Sequence, residues 1–334
     1  MIELQERIEA FTQLGQVLNT IDNETLESLI ARARASNSWF TEDSVKQSLE
    51  GIKRYLDGNK LNQWASRYPI RNQNLKVGIV MAGNIPLVGF HDLLSVVMSG
   101  NQAHLKLSSQ DMVLIQYIID KLREISPKLV DTQVIVRDQL KDIDAIIATG
   151  SDNTSRYFNY YFGKYPNIIR KNRTSCAILD GNESREELEL LADDIFTYFG
   201  LGCRNVAKLF VPTGYKFDPF FEATVKYNTI TYHHKYNNNY DYNKSIYLVN
   251  GIPHLDNGYL MLKEDHGMVS PISVVFYEEY TSGEHLQELL DTHRDKIQCI
   301  VSSSDEHIAF GNAQQPELWD YADNVDTMKF LIAL

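Results

Sequence analysis

Cysteine is scarce in this sequence, and long hydrophobic runs are missing. The 334 residues include three cysteines, Cys176, Cys203 and Cys299, which are too few and too scattered for a disulfide framework or a zinc cluster. No apolar stretch approaches the roughly 20 residues that a membrane-spanning helix requires. Met1 leads directly into a charged amphipathic pattern, unlike a signal peptide. We therefore expect a reduced, cytoplasmic protein that holds no metal and has no membrane span.

Basic patches and the common nucleotide-binding fingerprints are also missing. The formal net charge is −12 and no basic run stands out, so we expect neither nucleic acids nor anionic membranes as partners. No G-x-G-x-x-G follows the first predicted strand, and no G-x-x-x-x-G-K-[ST] occurs anywhere. A nucleotide, if one binds, must be held by a different loop design.

Two kinds of hydrophobic pattern divide the chain. The first part shows apolar residues at helical spacing, for example Leu4 and Ile8, and Thr41 is the predicted N-cap of a further helix. Later, short apolar strands alternate with amphipathic helices, a rhythm typical of parallel sheets covered by helices. The pattern predicts an α/β protein with an N-terminal helical segment, residues 1–74, followed by two α/β domains, residues 75–171 and 172–334.

Two segments give weaker signals. Residues 227–243 are rich in tyrosine and asparagine and show little apolar periodicity, so we expect an extended surface segment there. The apolar residues 330–334 are either a strand that pairs with a neighbouring subunit or a part of the core.

A cysteine follows two glycines in the segment Phe199-Gly200-Leu201-Gly202-Cys203-Arg204-Asn205. A helix is predicted to end there and a strand to begin, so the turn would present the thiol, and the glycines would let a substrate approach. Arg204, if it points inward, would favour the thiolate. The alternative is a cysteine that only packs in the core, an explanation that suits Cys176 and Cys299 better.

Five segments occur in the order found in the aldehyde dehydrogenase superfamily. They are residues 82–86, 99–109, 148–151, 199–205 and 264–271. The sequence resembles, within that superfamily, the long-chain acyl-CoA reductases of the bacterial luminescence type (the LuxC family), from about Trp39 to its end. The resemblance implies an aldehyde-dehydrogenase-like fold with two Rossmann-like domains. Residues 75–171 would bind a nicotinamide cofactor, and residues 172–334 would form the catalytic domain.

The resemblance also assigns roles to single residues. It implies Cys203 as the nucleophile and Asn84 as the amide that stabilises the negatively charged oxygen formed by thiol addition. The implied cofactor-binding residues are Lys106 and Ser109 near the adenosine ribose, Gly150 and Ser151 at the pyrophosphate, and Glu264 at the nicotinamide ribose. Around Glu264 the sequence departs from the family pattern, because His266 and Met268 replace the usual Phe and Pro.

Each assigned residue also has an ordinary explanation. Asparagine is common in turns, which would account for Asn84, and lysine is usually exposed, which would account for Lys106. A strand–Gly–Ser–helix turn is frequent in α/β proteins. Glu264 is equally explained as a solvated surface carboxylate.

A residue that the aldehyde-oxidising members require is replaced here. Those members carry a glutamate that activates water to hydrolyse the acyl-enzyme. Aligning the strand that begins near Ser175 places Arg170 at that position, and arginine cannot act as a general base near neutral pH. The sequence therefore predicts slow hydrolysis of an acyl-enzyme.

The resemblance implies reduction of an acyl-CoA thioester to a fatty aldehyde through an acyl-cysteine. Ser109 lies where the NAD-specific members carry a glutamate that repels a 2′-phosphate, so we expect NADPH in preference to NADH. The resemblance also implies an acyl-protein synthetase as partner, and we expect a homo-oligomer. Two alternatives remain open: a reductase of acyl phosphates, and a catalytically inactive binding protein with the same fold.

Overall fold

The chain forms two compact units in the computed structural model, which describes residues 2–150 and 152–334. Unit 1 comprises residues up to Asn172 together with 316–334, and unit 2 comprises residues 173–315. The C-terminal residues 316–334 thus belong to unit 1, although the sequence analysis assigned them to the catalytic domain. The functions expected of the domains stay predictions.

Unit 1 contains a five-stranded parallel sheet in the order β3-β2-β1-β4-β5. Its elements, in chain order, are α1 (Leu4–Asn19), α2 (Asn23–Ser36), α3 (Glu42–Tyr55), α4 (Gly58–Ala65), β1 (Lys76–Val80), α5 (Phe90–Met98), β2 (Gln102–Lys106), α6 (Met112–Ile125), α7 (Pro127–Gln133), β3 (Val134–Val136), β4 (Ala145–Thr149), α8 (Asp152–Phe162) and β5 (Asn167–Arg170).

Unit 2 contains a six-stranded sheet in the order β11-β6-β7-β10-β9-β8, parallel except for the pair β8–β9. Its elements are β6 (Thr174–Ile178), α9 (Arg185–Phe196), a 3₁₀ helix (Thr197–Gly200), β7 (Val206–Pro212), α10 (Asp218–Ala223), a 3₁₀ helix (Thr224–Tyr232), α11 (His234–Val249), β8 (Leu255–Asp256), β9 (Met261–Glu264), β10 (Val274–Tyr280), α12 (Gly283–His293), a 3₁₀ helix (Arg294–Lys296) and β11 (Ile297–Val301). After it the chain returns to unit 1 with a 3₁₀ helix (Ala322–Asn324) and α13 (Thr327–Ile332).

The N-terminal helices share one apolar core with the sheet of unit 1. Phe11 and Leu14 of α1 are completely buried and belong to the same cluster as Val77 and Ile79 of β1. The predicted cap of α3 is confirmed, because the Thr41 hydroxyl accepts a hydrogen bond from the Ser44 amide at 3.3 Å. Such a bond satisfies a backbone donor that the first helical turn leaves without an intrahelical partner.

The predictions for two segments need correction. Residues 227–243 are helical and not extended. Tyr236 and Tyr240 of this segment are buried in α11, as are Asn243 and, beyond the segment, Tyr247. A helical stripe was therefore present, but it was mainly aromatic instead of aliphatic. The segment 330–334 is not a strand, because α13 covers most of it. Leu331 is fully buried in the core of unit 1, which agrees with the second alternative.

Two absences hold for the part of the chain that the structure describes. None of its helices combines the length and apolar character needed to cross a membrane. No group of three or more His, Cys, Asp or Glu side chains within it is arranged to hold a metal ion.

Candidate active site

Three loops meet at one edge of the unit 1 sheet. Val80, at the end of β1, lies in register with Lys106 of β2 on one side and with Ala148 of β4 on the other. The strand order reverses between β1 and β4, and the carboxyl edge at such a point is where open α/β sheets bind ligands. The predicted residues Asn84, Lys106, Ser109 and Gly150 all lie in or next to these loops.

Lys106 is the last residue of β2, and its side chain is exposed. The ammonium group donates a hydrogen bond to the backbone carbonyl of Asp138 at 2.9 Å. That acceptor is neutral, so the positive charge of Lys106 can still attract an anion. Ser109 follows in the same loop and is also exposed.

Asn84 is exposed on the loop between β1 and α5. Next to it, Gly83 touches the loop that follows β2, because a Cβ at residue 83 would lie 2.9 Å from the Cβ of Ser108 and 3.0 Å from that of Gln110. Only a residue without a side chain allows this approach. The loop of Asn84 and the loop of Lys106 and Ser109 are therefore packed together.

The loop after β4 leads directly into α8. A Cβ at Gly150 would lie 2.9 Å from the ring of Phe158 and 3.0 Å from Thr154, so Gly150 packs closely against side chains of α8. The N-terminus of a helix offers amide donors and a partial positive charge to an anion. Ser151 lies outside the described residues.

Cys203 lies in unit 2, in a turn that precedes β7. Three residues with left-handed backbone angles end the preceding helical segment: Tyr198 (φ 52°), Phe199 (φ 58°) and Gly200 (φ 77°). Non-glycine residues seldom adopt this conformation. The turn is closed by a hydrogen bond from the Asn205 amide to the Gly202 carbonyl at 3.1 Å. Cys203 is one of the two central residues of this turn, and its side chain is half-buried.

Asn205 fixes this turn to the end of α9. Its side chain is almost completely buried, and its Nδ2 donates to the carbonyls of Asp194 (3.0 Å), Ile195 (3.2 Å) and Thr197 (2.8 Å). Its Oδ1 accepts from the Gly202 amide at 2.8 Å. The last carbonyls of a helix lack intrahelical partners, and Asn205 supplies them. The sequence analysis gave this residue no role, although it stands two residues after the cysteine.

Two further contacts surround the turn of Cys203. The hydroxyl of Ser175, which is fully buried, donates to the Cys203 carbonyl at 3.1 Å. The guanidinium of Arg204 donates to the carbonyl of Ala313 at 2.5 Å. The Ala313 amide donates in turn to the Asp194 carboxylate at 2.9 Å. The hydrogen bond to Ala313 engages Arg204, for which the sequence analysis had considered a role beside the thiol.

The other two cysteines lie within strands, and none of the three is in a disulfide. Cys176 of β6 is completely buried, and burial raises the pKa of its thiol well above the ordinary value. A thiol with a raised pKa is a poor nucleophile because the thiolate is the reactive form. Cys299 of β11 has its sulfur 3.0 Å from the Ser175 hydroxyl.

Glu264 ends β9, where it is exposed and in register with Tyr277 of β10. Tyr277 is in register with Leu209, the middle residue of β7. Strand spacings of about 4.8 Å and 3.3 Å per residue place Glu264 roughly 14 Å from Val206, where β7 begins. The structure therefore does not bring Glu264 next to the turn of Cys203, and its role stays a prediction.

Arg170, at the end of β5, is buried and belongs to unit 1. Its guanidinium forms an ion pair with Asp92 of α5 at 2.5 Å and donates to the hydroxyl of Thr327 in α13 at 3.1 Å. Its partners explain why an arginine is found here: it links a strand end to two helices. Leaving Asp92 buried without this partner would be strongly destabilising.

Comparisons with known proteins show the family and the fold. The family profile described as "Acyl-CoA reductase (LuxC)" matches residues 11–222, more than half of the chain. No curated protein matches the chain. Among solved structures, the chain is similar to an NAD-dependent aldehyde dehydrogenase from Sinorhizobium meliloti, with 13% identity over 91% of this chain and 71% of the other and a TM-score of 0.67.

Two further structures show the same similarity. An aldehyde dehydrogenase from Mycobacterium tuberculosis complexed with NAD⁺ has 13% identity over 93% of this chain and 76% of its own, with a TM-score of 0.65. Aldehyde dehydrogenase 21 from Physcomitrella patens, in complex with succinate, has 13% identity over 98% and 88%, with a TM-score of 0.62. The predicted aldehyde dehydrogenase fold is confirmed, and the chain belongs to the acyl-CoA reductase (LuxC) family.

Proposed function

We propose that this protein reduces an acyl-CoA thioester to an aldehyde through an acyl group carried on Cys203, with NADPH as the reductant. One observation carries the proposal: Cys203 is held in a half-buried turn by Asn205 and Ser175, whereas Cys176 is completely buried. Membership in the acyl-CoA reductase family supports the substrate class. The fold, which solved complexes with NAD⁺ share, supports a nicotinamide cofactor.

The residues at the carboxyl edge of the unit 1 sheet suit a dinucleotide. Lys106 offers a positive charge, Ser109 offers a hydroxyl, and Gly150 leads into the N-terminus of α8. A hydroxyl at residue 109 can donate to a 2′-phosphate, whereas a carboxylate would repel it. We therefore propose NADPH in preference to NADH.

The chemistry divides between the cofactor and the side chains. When bound, the cofactor supplies a hydride for the acyl carbon. The Cys203 thiolate forms a C–S bond with the acyl carbon, and the coenzyme A thiolate leaves, so that one thioester replaces another. The Asn84 amide stabilises the oxygen that carries the negative charge. After reduction, the C–S bond breaks and returns its electron pair to sulfur, which releases the aldehyde.

Slow hydrolysis of the acyl group on Cys203 completes the proposal. Arg170, which the sequence alignment places where aldehyde-oxidising relatives carry a glutamate, is engaged by Asp92 and Thr327. It cannot accept a proton from water near neutral pH, so the acyl group persists until it is reduced. An acyl-protein synthetase partner and a homo-oligomer stay predictions.

The experiment compares two cysteine variants. Purified Cys203→Ala and Cys299→Ala proteins are incubated with a radiolabelled acyl-CoA and no cofactor, and the label on the protein is measured after denaturation. We expect Cys203→Ala to carry no label. When NADPH is added, this variant should form no aldehyde although it still binds NADPH. Cys299→Ala serves as the control and should be labelled as the wild type is. Wild-type labelling of Cys203→Ala would show that another residue is the nucleophile.

A steady-state assay separates the substrate classes. The wild-type protein is given acyl-CoA thioesters of increasing chain length or acyl phosphates, with NADPH present. Turnover of acyl phosphates at a higher kcat/KM than acyl-CoA would replace the proposed substrate by the alternative one. Failure to bind either nicotinamide cofactor would instead point to an inactive binding protein.

A further inference from the structure

The loop that carries Asn84 is held in place by polar side chains from three other elements. This loop, residues 81–89, connects β1 to α5 and is called the Asn84 loop below. Its backbone leaves the sheet, so its buried carbonyls and amides need partners from elsewhere. Those partners are Asn37, Ser48 and Asp111, and all three are buried.

The first two partners come from the N-terminal helices. Asn37, the residue after α2, is 6% exposed, and its Nδ2 donates to the Gly83 carbonyl at 3.1 Å. Ser48 of α3 is 8% exposed, and its hydroxyl donates to the Pro86 carbonyl at 2.7 Å. The two bonds reach the residue before Asn84 and the second residue after it. They thereby fix the backbone on both sides of the asparagine.

The third partner is an acid that precedes α6. Asp111 is 3% exposed, and one of its oxygens accepts from the Leu87 amide at 2.7 Å. Leu87 has a φ of 57°, a left-handed conformation that is strained for a leucine and persists only when its surroundings impose it. The hydrogen bond that the Leu87 amide donates to Asp111 and the burial of the Leu87 side chain supply that constraint. The second oxygen of Asp111 has no hydrogen-bond partner among the described residues.

The placement of these bonds around Asn84 is the observation that matters for the site. Each comes from a different element, and together they engage residues 83, 86 and 87 around a single exposed side chain. A hydrogen-bond donor used in catalysis must be held within about half an ångström of its productive place, since it stabilises charge only from there. The backbone of Asn84 is held in this way although its side chain is exposed.

We propose that Asn37, Ser48 and Asp111 are positioning residues that hold the amide of Asn84 ready for the negatively charged oxygen. The inference rests on the proposed function, in which Asn84 is the side chain that stabilises this oxygen. It gives the helices before the first strand a part in the chemistry: α2 and α3 hold the loop without touching the substrate.

The test measures acylation of Cys203 in a single turnover. Wild-type and variant proteins are mixed with excess acyl-CoA, quenched rapidly, and the acylated protein is quantified by mass spectrometry. We expect Ser48→Ala to lower the rate about tenfold, because a misplacement of about 1 Å can cost on the order of 10²-fold. The affinity for NADPH should not change. The matched control is Ser44→Ala, one turn earlier on α3, equally buried, whose hydroxyl bonds to Thr41 and not to the Asn84 loop.

The same substitutions are repeated in an Asn84→Ala protein. If Ser48 acts through Asn84, Ser48→Ala lowers the rate in the wild-type background and has no further effect when Asn84 is absent. A tenfold effect in both backgrounds would overturn the proposal, since Ser48 would then act independently of Asn84. An Asn84→Ala protein with the wild-type rate would instead refute the role of Asn84 in the proposed function, and the two failures are thus distinguishable.

A pair of variants at residue 111 protects the test against misfolding. Asp111→Asn keeps an oxygen that can accept from the Leu87 amide, and we expect a rate within about twofold of the wild type. Asp111→Ala removes the acceptor and should lower the rate as Ser48→Ala does. Equal rates for the two variants, in proteins with the wild-type tryptophan fluorescence, would show that the hydrogen bond to Leu87 has no positioning role.

Discussion

Replacement of Asp111 by asparagine should make the stability of unit 1 less dependent on pH. Burial raises the pKa of the Asp111 carboxyl to about 8, against a smaller opposing effect of the hydrogen bond from Leu87. The folded protein therefore holds this proton to a higher pH than the unfolded chain does. The stability contributed by Asp111 is complete below about pH 4 and is lost as the pH rises toward 8.

The magnitude follows from the size of that shift. Between the two pKa values, each pH unit changes the free energy of unfolding by about 1.4 kcal/mol. Asparagine has no proton to lose in this range. We therefore compare the free energies of unfolding of the two proteins at each pH. Between pH 5 and pH 7, the value for the wild type should fall relative to that for Asp111→Asn by about 1.4 kcal/mol per pH unit.

The assay is a urea titration followed by tryptophan fluorescence. The three tryptophans, Trp39, Trp64 and Trp319, all lie in unit 1, so the signal reports on the unit that contains Asp111. The control is Asp120→Asn, which removes an exposed carboxylate on α6. The same slope in this variant would show that burial is not the cause. A difference for Asp111→Asn that does not vary between pH 5 and pH 7 would refute the reasoning.

Three further predictions concern the two units separately. Asn205→Ala should lower the unfolding free energy of unit 2 by about 3 kcal/mol, since it removes several buried hydrogen bonds of about 1 kcal/mol each. Circular dichroism in urea measures this free energy. The control Asn182→Ala, at an exposed residue, should change it by less than about 0.5 kcal/mol. Ser109→Glu should weaken NADPH binding relative to NADH by about tenfold, through repulsion of the 2′-phosphate; an unchanged ratio of dissociation constants in calorimetric titrations would contradict the assignment of residue 109. The acyl-enzyme formed without cofactor should release free fatty acid at least about 10²-fold more slowly than it is reduced when NADPH is present, because Arg170 aligns with the glutamate that activates water in aldehyde-oxidising relatives. Rapid release that disappears on replacement of one carboxylate would refute this.

Local sequence rules predicted the elements whose causes are local. Thr41 caps α3 through a bond to the amide three residues later, a relation visible in the sequence. The alternation of short apolar strands with amphipathic helices was equally clear, because this rhythm is typical of parallel sheets covered by helices. Helix α11 was missed because its buried face consists of three tyrosines and an asparagine, which a hydropathy pattern counts as weakly apolar or polar.

The site was only partly predictable for a related reason. Motifs pointed to Cys203, Asn84 and Lys106 as candidates, since each stands in a short segment with its own pattern, and their roles stay predictions. The groups that hold them come from distant parts of the chain: Asn37 is 46 residues away from Gly83, and Ser175 is 28 residues away from Cys203. No local pattern marks such pairs, and only the fold shows which residues meet.

The return of residues 316–334 to unit 1 has a consequence for the order of events during synthesis. Trp64 donates to the Tyr321 hydroxyl at 2.7 Å, and His91 bonds to the Leu318 carbonyl at 2.9 Å. Domains usually fold in the order in which the ribosome releases them. Here the unit that begins first is the last to be finished, because its final partners are translated after the whole of unit 2. A nascent chain that stops near residue 315 should expose the apolar surface that Leu318, Met328 and Leu331 cover, and it would be a preferred client of chaperones until residues 316–334 are translated.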